Sequence, residues 1–336
     1  MRILIIHTAF IGDIILITPL IKYTKQVFPK AAVDVLVIPQ TRGILQNNPY
    51  LKKILVFDKR KNKIAHFLQT ISNLKRRNYE IVFLPHSSLT TALLAFFSGI
   101  KIRIGFNRWL AAKFLTKKIP FYKGKHRIEK NLDLLKAFSN RKYDIQTELF
   151  PSKNDIEKAG KFLSKVNQRR KRIAIAPGSV WQTKCWSESY YKILAERLVE
   201  KGFSIIMTGS SEERELCQRI LPKKNAINLA GQTSILESAA ILEKCDLLVC
   251  NDSGALHLAN AMKTDVFAIF GPTVKNIGYY PIRENDFVFE HDLDCRPCGS
   301  HGGKKCPLDH HNCMKLIEPE MILEKICSRF KEGSLR

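Results

Sequence analysis

LLVCNDSGALHLANAMKTDVFAIFGPT, residues 247–273, decides the fold class because it joins two apolar strand patterns through a helical segment. Leu247–Cys250 and Val266–Phe270 are short apolar runs of the kind that forms buried strands in parallel sheets. A strand, a helix and a second strand in this order are typical of a βαβ unit. The stretch therefore predicts an α/β fold with a parallel sheet.

The same alternation extends over the whole chain. Further strands are predicted at Arg2–His7, Val33–Ile38, Ile54–Phe57, Ile81–Leu84, Ile102–Gly105, Arg172–Ala176 and Ser204–Thr208. Helices are predicted at Ile14–Phe28, Ile64–Arg77, Glu129–Phe138, Tyr190–Lys201 and Ile235–Lys244. Repeated βαβ units predict parallel sheets, with functional loops at the carboxyl ends of the strands.

The chain is long enough for two domains, since 336 residues exceed what one hydrophobic core usually organises. The strand pattern restarts at Arg172 after a polar, helix-like stretch, 153–171. We therefore predict one domain over 1–150 and a second over 151–318, facing each other across a cleft. Residues 319–336 are expected to form a C-terminal helix that packs back toward the first domain.

The charge is strongly basic and unevenly distributed. The chain has 55 Lys and Arg against 31 Asp and Glu, a net charge of +24. Residues 1–150 contain 27 basic and 8 acidic residues, which is +19, so the second half contributes only +5. Ten basic residues lie between Lys101 and Lys130, where Glu129 is the only acid. This surplus indicates a polyanionic partner of the first half, namely nucleic acid, an anionic membrane or a phosphorylated substrate, or else a solubilising surface.

Several classes of protein are disfavoured. The apolar fraction of 45% excludes a disordered chain. Asp13 interrupts the apolar N-terminal run, and a central Asp costs roughly 2.5–3.5 kcal/mol in a membrane, so a buried strand, a turn and a helix explain this run better than a membrane anchor. We find no zinc finger, aromatic RNA-binding signature or basic zipper helix that would support a specific nucleic-acid-binding protein. Scattered cysteines suit a reducing cytoplasm.

The first candidate site is Gly12-Asp13, which follows the first strand. The glycine permits a sharp turn. A carboxylate at the start of a helix either caps that helix or projects as a general base.

The second half carries three further candidate segments at strand ends. Pro177-Gly178-Ser179 offers backbone amides and a hydroxyl, and Lys184 offers a positive charge for a diphosphate. Glu212 follows a strand end, where a carboxylate either binds ribose hydroxyls or begins the next helix. In the opening stretch, Asp252 or Ser253 can cap a helix whose N-terminus favours an anion.

Together these segments resemble the ADP-heptose:lipopolysaccharide heptosyltransferases, glycosyltransferase family 9. The match rests on four segments in family order: Gly12-Asp13 with Thr18-Pro19-Leu20-Ile21; His126 with Asn131-Leu132-Asp133-Leu134-Leu135; Pro177-Gly178-Ser179 with Lys184 and Trp186; and Asn251-Asp252-Ser253-Gly254 with His257 and Phe270-Gly271-Pro272-Thr273. The segment before Gly12, His7-Thr8-Ala9-Phe10, departs from the family, which commonly has a basic or small polar residue there.

The resemblance implies a two-domain GT-B type fold and inverting transfer of a heptose from ADP-heptose to the lipopolysaccharide inner core. It implies Asp13 and Lys184 as catalytic residues, the first as base and the second as a stabiliser of the leaving ADP. The implied substrate-binding residues are Gly12, Ser179, Thr183, Glu212, Asp252, Ser253, Gly254 and His257, with Glu213 close to Glu212 as a choice for the ribose.

The resemblance also implies partners and a location. They are an ADP-sugar donor and an anionic lipopolysaccharide-core acceptor, met by a cytoplasmic protein held peripherally on the inner membrane. The alternatives are another nucleotide sugar, a protein acceptor or, in a different class, a basic nucleic-acid-binding protein.

No cofactor and no catalytic metal are expected, since no metal-ligand set falls at the strand ends. Cys295, Cys298, Cys306 and Cys313 lie among histidines and have the density of a structural zinc site, although the spacing after the first pair is irregular. We favour reduced or partly paired thiols over a structural zinc.

Overall fold

The computed structural model describes residues 1–58 and 63–332. The chain divides into two compact units, Met1–Phe150 and a second that begins at Pro151. Each unit contains a six-stranded parallel sheet covered by helices. This confirms the predicted α/β class with two Rossmann-like sheets.

The first unit has the strand order β3-β2-β1-β4-β5-β6. Its strands are β1 Arg2–Ile6, β2 Ala32–Val37, β3 Lys53–Val56, β4 Ile81–Leu84, β5 Ile102–Phe106 and β6 Lys117–Ile119. Its helices are α1 Ile11–Ile15, α2 Thr18–Val27, α3 Lys63–Arg76, α4 Leu89–Phe97 and α5 Arg127–Asp133. Ile3–Ile6 are fully buried because helices cover both faces of a parallel sheet.

The second unit repeats this topology with the strand order β12-β11-β10-β7-β8-β9. Its strands are β7 Arg172–Ala176, β8 Ser204–Met207, β9 Ala226–Asn228, β10 Leu247–Asn251, β11 Val266–Ile269 and β12 Phe287–Phe289. Its helices are α6 Lys153–Leu163, α7 Glu188–Glu200, α8 Arg214–Ile220, α9 Ile235–Glu243, α10 Gly254–Ala261, α11 Asn312–Lys315 and α12 Pro319–Glu332. In both sheets the chain starts in the middle, builds one side and then the other, so each sheet has a central switch point.

One predicted helix is two helices. The sequence predicted a single helix over Ile14–Phe28, whereas α1 ends at Ile15 and α2 begins at Thr18. Pro19 lies in the first turn of α2, where its missing amide costs nothing, and it would break the interior of a longer helix. The break therefore follows from the proline.

The C-terminal helix α12 packs on the core of the second unit, and its packing toward the first domain stays a prediction. Ile322 and Ile326 are fully buried in the core of that unit. The Phe330 ring contacts Phe203, with 5.4 Å between ring centroids, and the Arg329 guanidinium pairs with Asp265. The apolar stripe of α12 thus completes the core beside α7. Residues 333–336 of the predicted segment lie outside the described residues.

No helix in the described part of the chain is both long and apolar enough to span a membrane.

Candidate functional site

The candidate nucleotide site lies at the carboxyl edge of the second sheet. Strands β7 and β10 are neighbours there, and the chain leaves them toward opposite sides of the sheet. Ligands of open α/β sheets bind at such a switch point, outside the carboxyl ends of the strands. Pro177–Ser179 follow β7, and Asn251–Ser253 end β10.

Lys184 and Asp252 meet at this edge. The Lys184 ammonium lies 2.6 Å from the Asp252 carboxylate, and the two side chains are only 12% and 9% exposed. The Thr273 hydroxyl donates to the same carboxylate oxygen at 2.7 Å. Two residues that the sequence analysis selected separately therefore form one buried ion pair, which places the ammonium at the end of β10.

Asn251 holds the two strand ends together. Its buried side chain accepts hydrogen bonds from the Trp186 amide at 3.0 Å and the Tyr191 hydroxyl at 3.1 Å, and its Nδ2 donates to the Pro177 carbonyl at 2.7 Å. Burial raises the pKa of Tyr191 well above its usual range, so the hydroxyl remains a donor. Asn251 belonged to the family segment but was not predicted as a site residue.

The N-terminus of α10 is the part of the edge with the chemistry suited to an anion. Ser253 is its N-cap residue and makes no side-chain capping hydrogen bond, while the Asp252 carboxylate is bound to Lys184. Neither residue caps α10 as the sequence analysis allowed. The first-turn amides begin at Gly254 and receive no capping hydrogen bond from the Ser253 side chain, and the positive end of the helix dipole lies there.

Two neighbouring glutamates differ in position. Glu212 is exposed and accepts a hydrogen bond from Ser211. Hydrogen bonds from its own backbone amide, Ser210 and Ser211 hold the pKa of its carboxyl below the usual value. The Glu213 carboxylate instead lies against Gly178, where an added Cβ would come within 1.7 Å of it. A side chain at 178 would have to displace that carboxylate, so Glu213 lies closer to the end of β7.

Thr183 is engaged by a distant loop. Its hydroxyl accepts the Gly303 amide hydrogen at 2.7 Å and also donates to the Gly303 carbonyl at 3.1 Å. Its own carbonyl is bonded by the His311 ring at 2.7 Å. In this structure Thr183 anchors the loop, and its contact with a substrate stays a prediction.

Two further predicted residues, Ser179 and His257, follow β7 and β10 respectively. Ser179 is half-buried, and its hydroxyl oxygen accepts the Trp181 amide hydrogen at 3.4 Å. His257 is buried within α10, with its ring 6.2 Å from that of Tyr279.

Arg296 is a site-building residue that sequence reasoning missed. Its side chain is 3% exposed, donates to the Thr273 carbonyl at 2.8 Å and also bonds the Gly271 carbonyl. It pairs with Glu290 at 3.0 Å. Arg296 therefore fixes the loop that presents the Thr273 hydroxyl to Asp252. The only sequence signal was a basic residue inside the cysteine-rich segment.

The candidate base lies in the first unit. Helix α1 begins at Ile11, so Gly12 and Asp13 lie inside its first turn rather than before it, and the N-cap position belongs to Phe10. Asp13 is half-buried and lies in the first turn of α1 rather than at the N-cap position. His7 and His86, at the ends of β1 and β4, stack with 5.8 Å between ring centroids. Nothing in the sequence connected these two histidines.

The cysteine-rich segment contains free thiols. Cys295, Cys298, Cys306 and Cys313 are all unpaired by disulfides. Burial raises the pKa of the Cys313 thiol to about 11, which keeps it protonated at neutral pH. Among the described residues, no three His, Cys, Asp or Glu side chains are arranged to hold a metal ion.

Comparison with known proteins connects this geometry to a family. Residues 67–309 match the model of glycosyltransferase family 9 (heptosyltransferase). The chain is 26% identical to lipooligosaccharide heptosyltransferase 2 of Campylobacter jejuni, over all of both chains. It is also 26% identical to lipopolysaccharide heptosyltransferase 3 of Escherichia coli, covering 83% of this chain and 84% of that protein.

The fold matches as well. The structure of E. coli ADP-heptose lps heptosyltransferase II superposes with a TM-score of 0.82 at 20% identity, covering 99% of this chain and 100% of the other. The doubled Rossmann-like topology, the strand-end residues and a family match over more than half of the chain agree, and the protein belongs to glycosyltransferase family 9, the heptosyltransferases.

Proposed function

We propose that this glycosyltransferase moves a heptose from ADP-heptose to a sugar hydroxyl of the lipopolysaccharide inner core, with inversion at the anomeric carbon. The observation that carries the proposal is the Lys184–Asp252 ion pair at the N-terminus of α10. The names of the relatives support the donor and the acceptor, since they are lipooligosaccharide and lipopolysaccharide heptosyltransferases.

The second unit supplies the donor site in this proposal. The diphosphate accepts hydrogen bonds from the first-turn amides of α10 and from the Lys184 ammonium, both of which favour an anion. Asp252 positions the ammonium and reaches the donor sugar. Ser179 and His257 contribute to the walls of this site, and Glu212 or Glu213 binds the ribose hydroxyls. We favour Glu213, because it lies against the end of β7 and Glu212 is exposed.

The chemical step is a single displacement. Asp13 takes the proton from the acceptor hydroxyl as that oxygen forms a bond to the anomeric carbon. The bond between the anomeric carbon and the diphosphate oxygen breaks, and ADP leaves with the electron pair. Lys184 and the dipole of α10 stabilise the negative charge that develops on ADP. No covalent sugar–enzyme intermediate is needed.

The first unit supplies the acceptor surface in this proposal. Its net charge of +19 suits an acceptor that bears acidic sugars and phosphates. Such an acceptor is lipid-linked, so we place the enzyme peripherally at the cytoplasmic face of the inner membrane.

The test is product mass after incubation with ADP-heptose and truncated inner-core acceptors. We expect a gain of one heptose and release of ADP, and the acceptor that reacts identifies the position glycosylated. Other nucleotide sugars and a protein acceptor are assayed in parallel. Transfer from another donor alone, or no release of ADP with any acceptor, would refute the proposal. DNA binding does not discriminate, because a basic surface binds DNA non-specifically.

A further inference from the structure

Helix α4 is apolar on the side that faces solvent. Its inner face buries Thr91, Ala92, Leu94 and Ala95. On the outer face, Leu89 is 41%, Phe96 43% and Phe97 50% exposed. A surface helix normally turns polar residues outward, so this helix has a second apolar face that the described protein leaves uncovered.

Two more exposed apolar side chains lie in or beside a turn that packs on α4. The 3₁₀ turn Leu110–Phe114 packs on α4, with the Phe114 and Phe96 rings 5.5 Å apart. Leu110 is 62% exposed and Trp109, which precedes the turn, is 70% exposed. We call Leu89, Phe96, Phe97, Trp109 and Leu110 the apolar patch. Exposed side chains grouped in this way mark an interaction site.

Trp109 is also held in a strained backbone conformation. Its φ of 60° and ψ of −177° fall in a region that is essentially restricted to glycine. Arg108 lies over the indole, 4.9 Å from the ring centroid. A bulky aromatic residue kept exposed in a glycine conformation points to a role outside the fold, because the strain is not offset by burial.

The surroundings of the apolar patch determine which partner fits. Between Ile81 and Ile128 the chain has nine Lys and Arg residues and no Asp or Glu. Six of these, Lys101, Arg108, Lys113, Lys117, Lys118 and Lys123, are exposed. Two copies of the protein meeting through this face would bring like charges together. An anionic lipid surface accepts both the cations and the apolar side chains.

We propose that the apolar patch inserts into the interface of an anionic bilayer, with the surrounding Lys and Arg side chains on the headgroups. Trp is favoured at this depth because its ring is amphipathic. The inference rests on the proposed function in one respect, the lipid-linked acceptor that would bring the enzyme to such a surface. The apolar patch would enter the bilayer interface, whereas the basic residues alone would only attract the protein to the anionic headgroups.

The test is sedimentation of the full chain with vesicles of phosphatidylcholine and phosphatidylglycerol, without donor or acceptor. The Phe97→Ser/Trp109→Gly double variant should bind about tenfold or more weakly, since each large apolar side chain contributes at least that factor when fully buried. The loss should persist at high salt, where the contribution of exposed charges is screened. Ile193→Ser, at a 40% exposed position on α7, is the matched control and should bind like the parent.

Trp109→Gly alone separates this role from damage to the fold. Glycine adopts the backbone conformation without strain, so the Tm should rise while vesicle binding falls. Equal vesicle binding by the double variant and the parent would overturn the proposal. A parent dimer that dissociates in the double variant, seen by sedimentation velocity, would also overturn it, because the patch would then join two copies.

A water-soluble truncated acceptor separates this inference from the proposed function. The double variant should keep the parent's kcat and KM with that acceptor. The parent and the variants could all lack sugar transfer while the double variant still loses vesicle binding. That outcome would support the insertion and would refute only the assigned reaction.

Discussion

At the scale of single residues, Asp13 is the test of the proposed chemistry. Asp13→Asn keeps the size of the side chain and removes the base, so kcat should fall roughly 10²–10⁴-fold. ADP affinity and Tm should stay the same. Asp144→Asn, an exposed carboxylate of the same unit, is the control and should keep full activity. A near-normal kcat for Asp13→Asn would remove Asp13 from the mechanism.

Lys184 is the residue through which the donor site can be tested. Lys184→Ala removes a charge-assisted hydrogen bond to the diphosphate and leaves the Asp252 carboxylate with Thr273 and no cation. A bond of that kind is worth about 1.5–3 kcal/mol, so the Kd for ADP should rise at least tenfold. Titration calorimetry measures this Kd. Lys192→Ala, an exposed lysine of α7, should not change it, and equal affinities for Lys184→Ala and the parent would contradict the assignment.

At the scale of elements, Asn251 connects β10 to the segment that follows β7. Asn251→Ala leaves the Trp186 amide, the Tyr191 hydroxyl and the Pro177 carbonyl without this partner. Each buried unsatisfied group costs about 1–3 kcal/mol, so the free energy of unfolding should fall by about 3 kcal/mol or more. Tyr191→Phe removes one bond and should cost about 1 kcal/mol. Denaturant unfolding measures both, and similar losses would show that Asn251 is not the connecting residue.

Removal of metal ions tests whether the cysteine-rich segment is a structural metal site. We expect EDTA to leave both the transfer rate and the Tm unchanged, because Lys184 and α10 supply the positive charge opposite the diphosphate. Loss of activity together with unfolding would instead assign a structural metal to Cys295, Cys298, Cys306 and Cys313. Loss restored by Mg²⁺ without unfolding would count against the proposed mechanism.

The elements also show how far sequence reasoning reached. All nine predicted strands are present, with each end within one residue of its predicted position, because most of them are short apolar runs of the kind that forms buried strands. The edge strands β6, β9 and β12 were missed, since each has only three residues and half-exposed positions. The start of α1 was missed because Gly12 and Asp13, both weak helix formers, lie inside its first turn.

For the site, the sequence identified individual residues but did not show which of them contact each other. Lys184 and Asp252 were both selected, but their ion pair joins positions 68 residues apart and depends on β7 lying beside β10. Arg296 could not be found, because its partners include backbone carbonyls that carry no sequence signal. Helix α12 packs on an apolar surface of the second unit beside α7. The apolar stripe of α12 shows that one face is buried, but it does not specify the surface that buries it.

At the scale of the whole molecule, the structure refines which basic residues can face an acceptor. Arg103 donates to the carbonyls of Phe114 and Ile100, and Lys117 donates to that of Ala137, so both support the fold. Lys125 pairs with Asp133. Arg108, Lys113 and Lys118 are three of the other exposed positions, and they are suitable for testing the charged surface.

Reversing these three to Glu should raise the KM for an anionic acceptor and leave the Kd for ADP unchanged. The effect should shrink with added salt, since exposed charges are screened over about 10 Å at 0.1 M. The matched control reverses Lys192, Lys201 and Lys223, three exposed lysines of the second unit. An acceptor KM that is the same in parent and variant would make the basic surplus a solubility feature.

The hydrogen bonds between Thr183 and Gly303 also impose an order of assembly during protein synthesis. All six strands of the first sheet lie within the first 150 residues, so that unit contains its own pairing partners. The segment around Lys184 is anchored by a loop 120 residues further along the chain. A ribosome adds roughly 5–20 residues per second, so it needs roughly 8–30 s to extend the chain from residue 150 to Gly303. A nascent chain thus holds a foldable N-terminal unit well before its nucleotide edge is complete.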